Sequence, residues 1–329
     1  MMDRLAFKGR LFRWSIGALA ALALPLVNPN PYHLDVLTTS LLYALLALGL
    51  NLIVGLTGLL HLGYAAFFAI GAYTYGLLNL HWGWPFWVGW IPAACVAGIF
   101  GACLGIPALR VRGDYLAIVT LGFGEIVRIT VTNLEQWTGG PNGLLGIAHP
   151  RIWWPGRGVL DFGVSSAPYY YLVCITTAVV AGLCMRMSRS RVGRAWIAIR
   201  EDELAASCCG IPVLQLKVLA QGCGGAIAGL AGAIFAAKQG TITPDSFDFI
   251  LSVMVLAMVV LGGLGSIRGA IVGALLLGSL PELLRGLEQF RMLIFGMAMI
   301  LMMRVRPQGL FGTFHAGTIF SRRRHASPP

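Results

Sequence analysis

Charged residues are scarce in this chain. Of its 329 residues, 24 are Lys or Arg and 13 are Asp or Glu, only 11% in all, against 57% hydrophobic. A soluble domain carries about 25% charged residues. So little charge excludes a water-soluble globule of this size, and so much apolar content excludes intrinsic disorder. Lysine is rarer still. Lys8, Lys217 and Lys238 are the whole complement, and none follows a glycine. The phosphate-binding pattern G-x-x-x-x-G-K-[ST] is therefore absent. An H-E-x-x-H pair and a G-x-S-x-G elbow are missing too, and the histidines (His33, His61, His81, His149, His315 and His325) are scattered. Nothing here converges on catalysis, so the chain reads as a non-enzyme. Seven cysteines occur, none in a C-x-x-C pair and most inside apolar runs, which disfavours metal ligation or disulfides and suits small buried hydrophobes. The net charge of +11 raises nucleic acid as a partner. Its placement between apolar runs and at the two ends, with no aromatic-interleaved face, points instead to membrane topology.

What the chain has in abundance is long apolar runs. Ten are long enough to span or nearly so: 12–27, 34–54, 59–80, 86–109, 115–131, 169–187, 214–237, 249–264, 267–284 and 287–303. The expectation is an all-α polytopic membrane protein with about 8–10 transmembrane helices. Residues 1–314 form the membrane domain and 315–329 a basic tail, whose Arg322, Arg323 and Arg324 suit anionic headgroups. The first run could serve as a signal peptide, but no small-residue cleavage site follows it, and a retained helix is expected. With the N-terminus inside, 18 of the 24 cationic residues fall on one side, which places both termini in the cytoplasm. Residues 132–168 are then the long outer loop and 188–213 the main cytoplasmic one. Trp153 and Trp154 in the outer loop read as an interfacial anchor. Small-x-x-x-small spacing at Gly101/Gly105, Gly225/Gly229 and Gly269/Gly273 suits close helix packing in lipid.

Some polar residues sit inside these runs. Glu125 and Arg128, spaced i, i+3, can pair on one helix face, either at its outer end or along a solute path. Asn51, Thr57 and Thr120 are further path candidates, with helix–helix hydrogen bonding as the other role open to them. Thr138, Gly139, Gly140 and Asn142 lie in a turn-rich outer segment that is either a contact surface or a plain turn. The cytoplasmic loop carries the clearest pattern. Its polar helix has Arg200, Glu201 and Glu203, then Ala205 and Ala206, with Gly210 placed for a left-handed C-cap and Pro212 barring continuation.

Glu203, Ala205, Ala206 and Gly210 match the E-x-A-A-x-x-x-G form of the loop in ABC importer permeases. The chain resembles the LivM-type branched-chain amino acid permeases over roughly residues 35–312. The resemblance runs through NLIVGLTGLL at 51–60, GDYLAIVTL at 113–121, TGGPNGL at 138–144, LGGLGS at 261–266 and RPQGL at 306–310. Cys208 and Cys209 depart from the small or apolar residues usual in that loop. The resemblance implies one half of a translocator in the bacterial inner membrane. A second homologous permease would complete it. Two cytoplasmic ATPase subunits would hold ATP and Mg, no cofactor would sit in this chain, and an external binding protein would deliver Leu, Ile or Val. It also implies that Arg200, Glu201, Glu203, Ala205, Ala206 and Gly210 carry the coupling to the ATPases. Urea and short-chain amide permeases are close relatives and remain an alternative, with a secondary transporter further off.

Overall fold

A computed structural model describes residues 30–108, 114–154, 158–164, 166–283 and 309–312, with isolated residues 296, 297, 300 and 304. The expected spans at 12–27 and 287–303 and the basic tail lie outside the described residues, apart from those isolated positions. Among the described residues six helices are long and apolar enough to cross a bilayer. The long helices are α1 (Pro31–Leu50), α2 (Tyr64–Trp82), α3 (Phe86–Ala108), α4 (Asp114–Asn133) and α5 (Ser166–Arg189). Two short ones follow, α6 (Arg191–Glu201) and α7 (Glu203–Cys208), then α8 (Val213–Gln239), α9 (Phe249–Gly262) and α10 (Ile267–Leu283).

Local signals account for several boundaries. Asn30 caps α1 through the Tyr32 N–H, with Pro31 at the first helical position. α2 and α8 stop at Gly83 and Gly240, both in the left-handed region that glycine tolerates. The run expected to be helical from residue 59 starts only at Tyr64. α1 widens into a π-helical turn, Asn51–Leu56, and Gly58 at φ +74° breaks the chain away before α2 begins. Hydropathy does not register that break, because residues 57–63 are nearly as apolar as the helices they join.

α8 is the central helix. Its 27 residues rise roughly 40 Å, and it packs on α3, α2 and α1. α1 in turn packs on α10 and α5. The α3–α8 contact runs through the small-residue stripes: a Cβ at Gly101 would stand 2.6 Å from the Gln221 carbonyl, and one at Gly225 2.7 Å from that of Ala97. Backbone-to-backbone approach of this kind replaces the hydrophobic drive that lipid removes.

The two ends of the bundle differ. The loop end carries α6 and α7. The hairpin end carries the short strands β1 (Leu144–Leu145), β2 (Arg151–Trp154), β3 (Gly158–Asp161) and β4 (Thr241–Ile242). β1 pairs antiparallel with β4, and β2 with β3. Lys238 at this end of α8 pairs with Asp35 at 2.9 Å and donates to the Thr39 hydroxyl.

Candidate functional site

At the loop end the polar segment is two helices, not one. Ser190 caps α6 by accepting from the Gly193 N–H. Asp202 ends α6 in extended backbone and caps α7 by accepting from the Leu204 and Ala205 N–H groups. α7 closes in a Schellman turn: the Gly210 N–H donates to the Ser207 carbonyl and the Ile211 N–H to that of Ala206. Gly210 has φ +79°, the conformation its position beyond the helix end implies.

α6 is anchored and α7 is presented. Gly193, Trp196 and Ile199 form the buried stripe of α6, and the Trp196 indole donates to the Leu216 carbonyl at 2.8 Å. On α7 only Ala206 is buried. Glu201, Asp202, Glu203, Ala205 and the Cys208–Cys209 pair are exposed, and Leu204 is 66% exposed. Two side chains tie this pair to the bundle. Glu203 binds Lys217 of α8 at 2.7 Å, and Lys217 is itself buried. Arg200 reaches back to the Gly55 carbonyl at 2.5 Å and lies across Gly58 and Gly265. It therefore touches the π-turn at the end of α1 and the turn between α9 and α10. Asn51 joins those same two turns by accepting from the Gly265 N–H at 2.8 Å.

The remaining path candidates lie deeper. Thr57 donates to the Ile53 carbonyl. Thr120 accepts from the Leu62 N–H at 3.0 Å and donates to the Ala117 carbonyl, so it fixes the 57–63 break against α4. Glu125 and Arg128 form an ion pair on α4, with Asp245 3.9 Å from the guanidinium. A small cleft opens beside them. Leu62 and Ala65 wall it at the start of α2, Leu121 and Glu125 on α4, and Phe247 and Phe249 at the start of α9. The structure thus brings the 57–63 segment against Arg200 at one end and against this cleft at the other. His61, within that segment, is wholly buried against Tyr64 and Phe67, and neither ring nitrogen finds a hydrogen-bond partner among the described residues.

At the hairpin end Thr138 donates to the Val131 and Leu134 carbonyls. Gly139 and Gly140 both have positive φ, so the turn itself accounts for them. Asn142 is exposed. Sequence reasoning missed Trp196 and Lys217. The apolar i, i+3, i+6 stripe of α6 was a readable signal for the first, and a lysine inside an apolar run for the second.

The model for a family described as branched-chain amino acid transport system, permease component, matches residues 32–303. The chain is 46% identical over 293 residues to the high-affinity branched-chain amino acid transport system permease protein LivM of Salmonella typhimurium, covering 84% of this chain and 69% of that protein. It is 45% identical over the same length and shares to the Escherichia coli LivM. To the Escherichia coli LivH of the same named system it is 26% identical over 284 residues, covering 82% of this chain and 91% of that one. No solved structure matches the chain.

Proposed function

The chain belongs to the branched-chain amino acid transport permease family, and from that premise we propose that it is a membrane-spanning subunit of an ABC importer for leucine, isoleucine and valine. It sits in the bacterial inner membrane with the loop end and both termini in the cytoplasm. A second homologous permease completes the translocator, an external binding protein delivers the solute, and two ATPase subunits bind ATP and Mg.

The observation that carries this reading is the α6–α7 arrangement. An exposed helix tip on a buried base is what a docking element requires. Leu204 and the acidic start of α7 offer a contact surface, while Trp196 and Lys217 hold the base. Motion imposed on α7 reaches the bundle through Arg200, whose partner Gly55 lies in the π-turn after α1 and whose neighbour Gly265 separates α9 from α10. Rigid elements joined at such ends convert closure of one part into displacement of another. Exposed Glu201 and Ala205 belong to the same tip and are assigned to the docking surface, while buried Ala206 seats the tip on the bundle.

The test is co-purification of the tagged chain from its native membrane, followed by ATPase assay with leucine, with urea and without solute, each with its binding protein. Recovery of a second permease and two ATPases with stimulation by leucine supports the proposal. Stimulation by urea alone keeps the transporter class and overturns the solute. Solute transport by the chain alone overturns the class.

A further inference from the structure

We infer that the corner between α5 and α6 binds an anionic phospholipid of the cytoplasmic leaflet, its phosphate on three arginines and an acyl chain along α5. The inference rests on the transport reading above for the side of the membrane on which this corner lies. Two independent features meet there. The first is apolar. Ile175, Val179 and Leu183 recur at i, i+4 and i+8 on α5, which is one face of a helix, and they are 55%, 65% and 53% exposed. A Cβ at Gly182, on the same face, would meet nothing within 4 Å. This open stripe lies within a span, where hydrocarbon is the natural cover. Arg186 continues the same face three residues on, as the span ends.

The second feature is a fixed basic corner. α6 turns back against the end of α5, and a Cβ at Gly193 would stand 2.3 Å from the Met187 carbonyl oxygen. That backbone contact sets Arg191 and Arg194 of α6 near the last turn of α5, and Arg194 donates to the Arg189 carbonyl at 3.0 Å. Arg186, Arg191 and Arg194 are all exposed. Residues 162–200 contain no Asp or Glu, and among the described residues none of the three pairs with a carboxylate. Like charges held this way favour an anion between them, and guanidinium groups match phosphate oxygens two at a time.

Topology alone would be served by positive charge anywhere in the loop. Here the charges stand at the end of an open apolar stripe, so one molecule with a phosphate and a hydrocarbon chain satisfies both. A phosphate shared by Arg186 on α5 and Arg191 or Arg194 on α6 also braces the base that carries α7.

The test places the purified complex in phosphatidylcholine nanodiscs with a trace of either phosphatidylglycerol or phosphatidylcholine that carries a photoactivatable acyl chain, and mass spectrometry counts the adducts on α5. Phosphatidylglycerol should label α5 about fivefold more than phosphatidylcholine, the scale of one arginine near an anionic surface. Arg186→Gln with Arg191→Gln and Arg194→Gln should bring the two within about twofold. Millimolar inorganic phosphate should leave the excess in place, because the acyl stripe also holds the lipid. Equal labelling in the native complex overturns the inference, and labelling by neither lipid overturns it by showing that another chain covers this face. Loss of the excess to inorganic phosphate, but not to sodium chloride of equal ionic strength, reassigns the corner to a soluble phosphate and overturns it too. So does a triple variant that keeps the excess but loses its ATPase subunits, since the arginines then serve a protein partner. If leucine stimulates ATPase activity in the same preparation while the lipids label equally, only this inference falls. If leucine fails to stimulate it while the excess stands, the transport reading falls and the lipid site remains.

Discussion

The loop end and the hairpin end solve the same problem in different ways. Each is a polar stretch between spanning helices that must hold one shape. The loop end is held by side chains that reach into the bundle: Arg200 to Gly55, Trp196 to Leu216, Glu203 to Lys217. The hairpin end is held by main-chain pairing, β1–β4 and β2–β3, and by bundle side chains that grip its backbone: Tyr75 donates to the Ala148 carbonyl, Asn79 accepts from the Ala148 N–H, and Trp87 donates to the Arg151 carbonyl. A segment tied by side chains to the end of α1 and the start of α8 passes displacement on to them. One stiffened by main-chain pairing keeps its own form. The contrast agrees with the transmission role proposed for the first.

The largest effect should come from Glu203→Lys, which sets a second cation against buried Lys217. Membrane insertion should persist while uptake and stimulated ATPase activity fall by about tenfold or more. Normal stimulated activity in the purified complex would break the contrast. Trp196→Ala empties the buried base of α6 and should cost about 3–5 kcal/mol, read as a lower unfolding temperature. A stability change below that of an ordinary surface substitution would show that α6 is not anchored. Gly210→Val forces a β-branched residue into left-handed backbone at about 1–2 kcal/mol or more. Stimulated activity should drop severalfold, with Gly210→Asn retaining more of it than Val. At the hairpin end, replacing Gly139 and Gly140 by Val should expose that loop to protease and weaken response to the binding protein, while ATPase subunits still co-purify. Smallest of all, Asn142→Ala should change uptake by less than about twofold, as for an exposed turn residue without a packed side chain.

Hydropathy located α3, α4, α5, α8, α9 and α10 closely, since span length and apolar content come from the same bilayer constraint. It overran the start of α2 because an apolar break resembles an apolar helix. The C-cap at Gly210 was legible because left-handed backbone selects glycine locally. The work of Arg200 and Asn51 was not. Their partners, Gly55 and Gly265, are 145 and 214 residues away and contribute only backbone groups, which leave no mark of their own in a sequence. Asn51 and Thr120 are polar residues in apolar runs, and only the fold reveals that they tie one segment's backbone to another. The split of one polar helix into α6 and α7 turns on Asp202, whose capping role depends on a change of direction that composition does not encode.

The central claim is that Arg200 carries motion from the docking tip to the helix ends. It is tested most directly by the number of ATP molecules hydrolysed per leucine imported, measured in proteoliposomes of the full complex with Arg200→Ala. The account predicts that the complex stays assembled and that this ratio rises by about tenfold, because hydrolysis continues without moving α1 and the α9–α10 turn. An unchanged ratio in an assembled complex would contradict it.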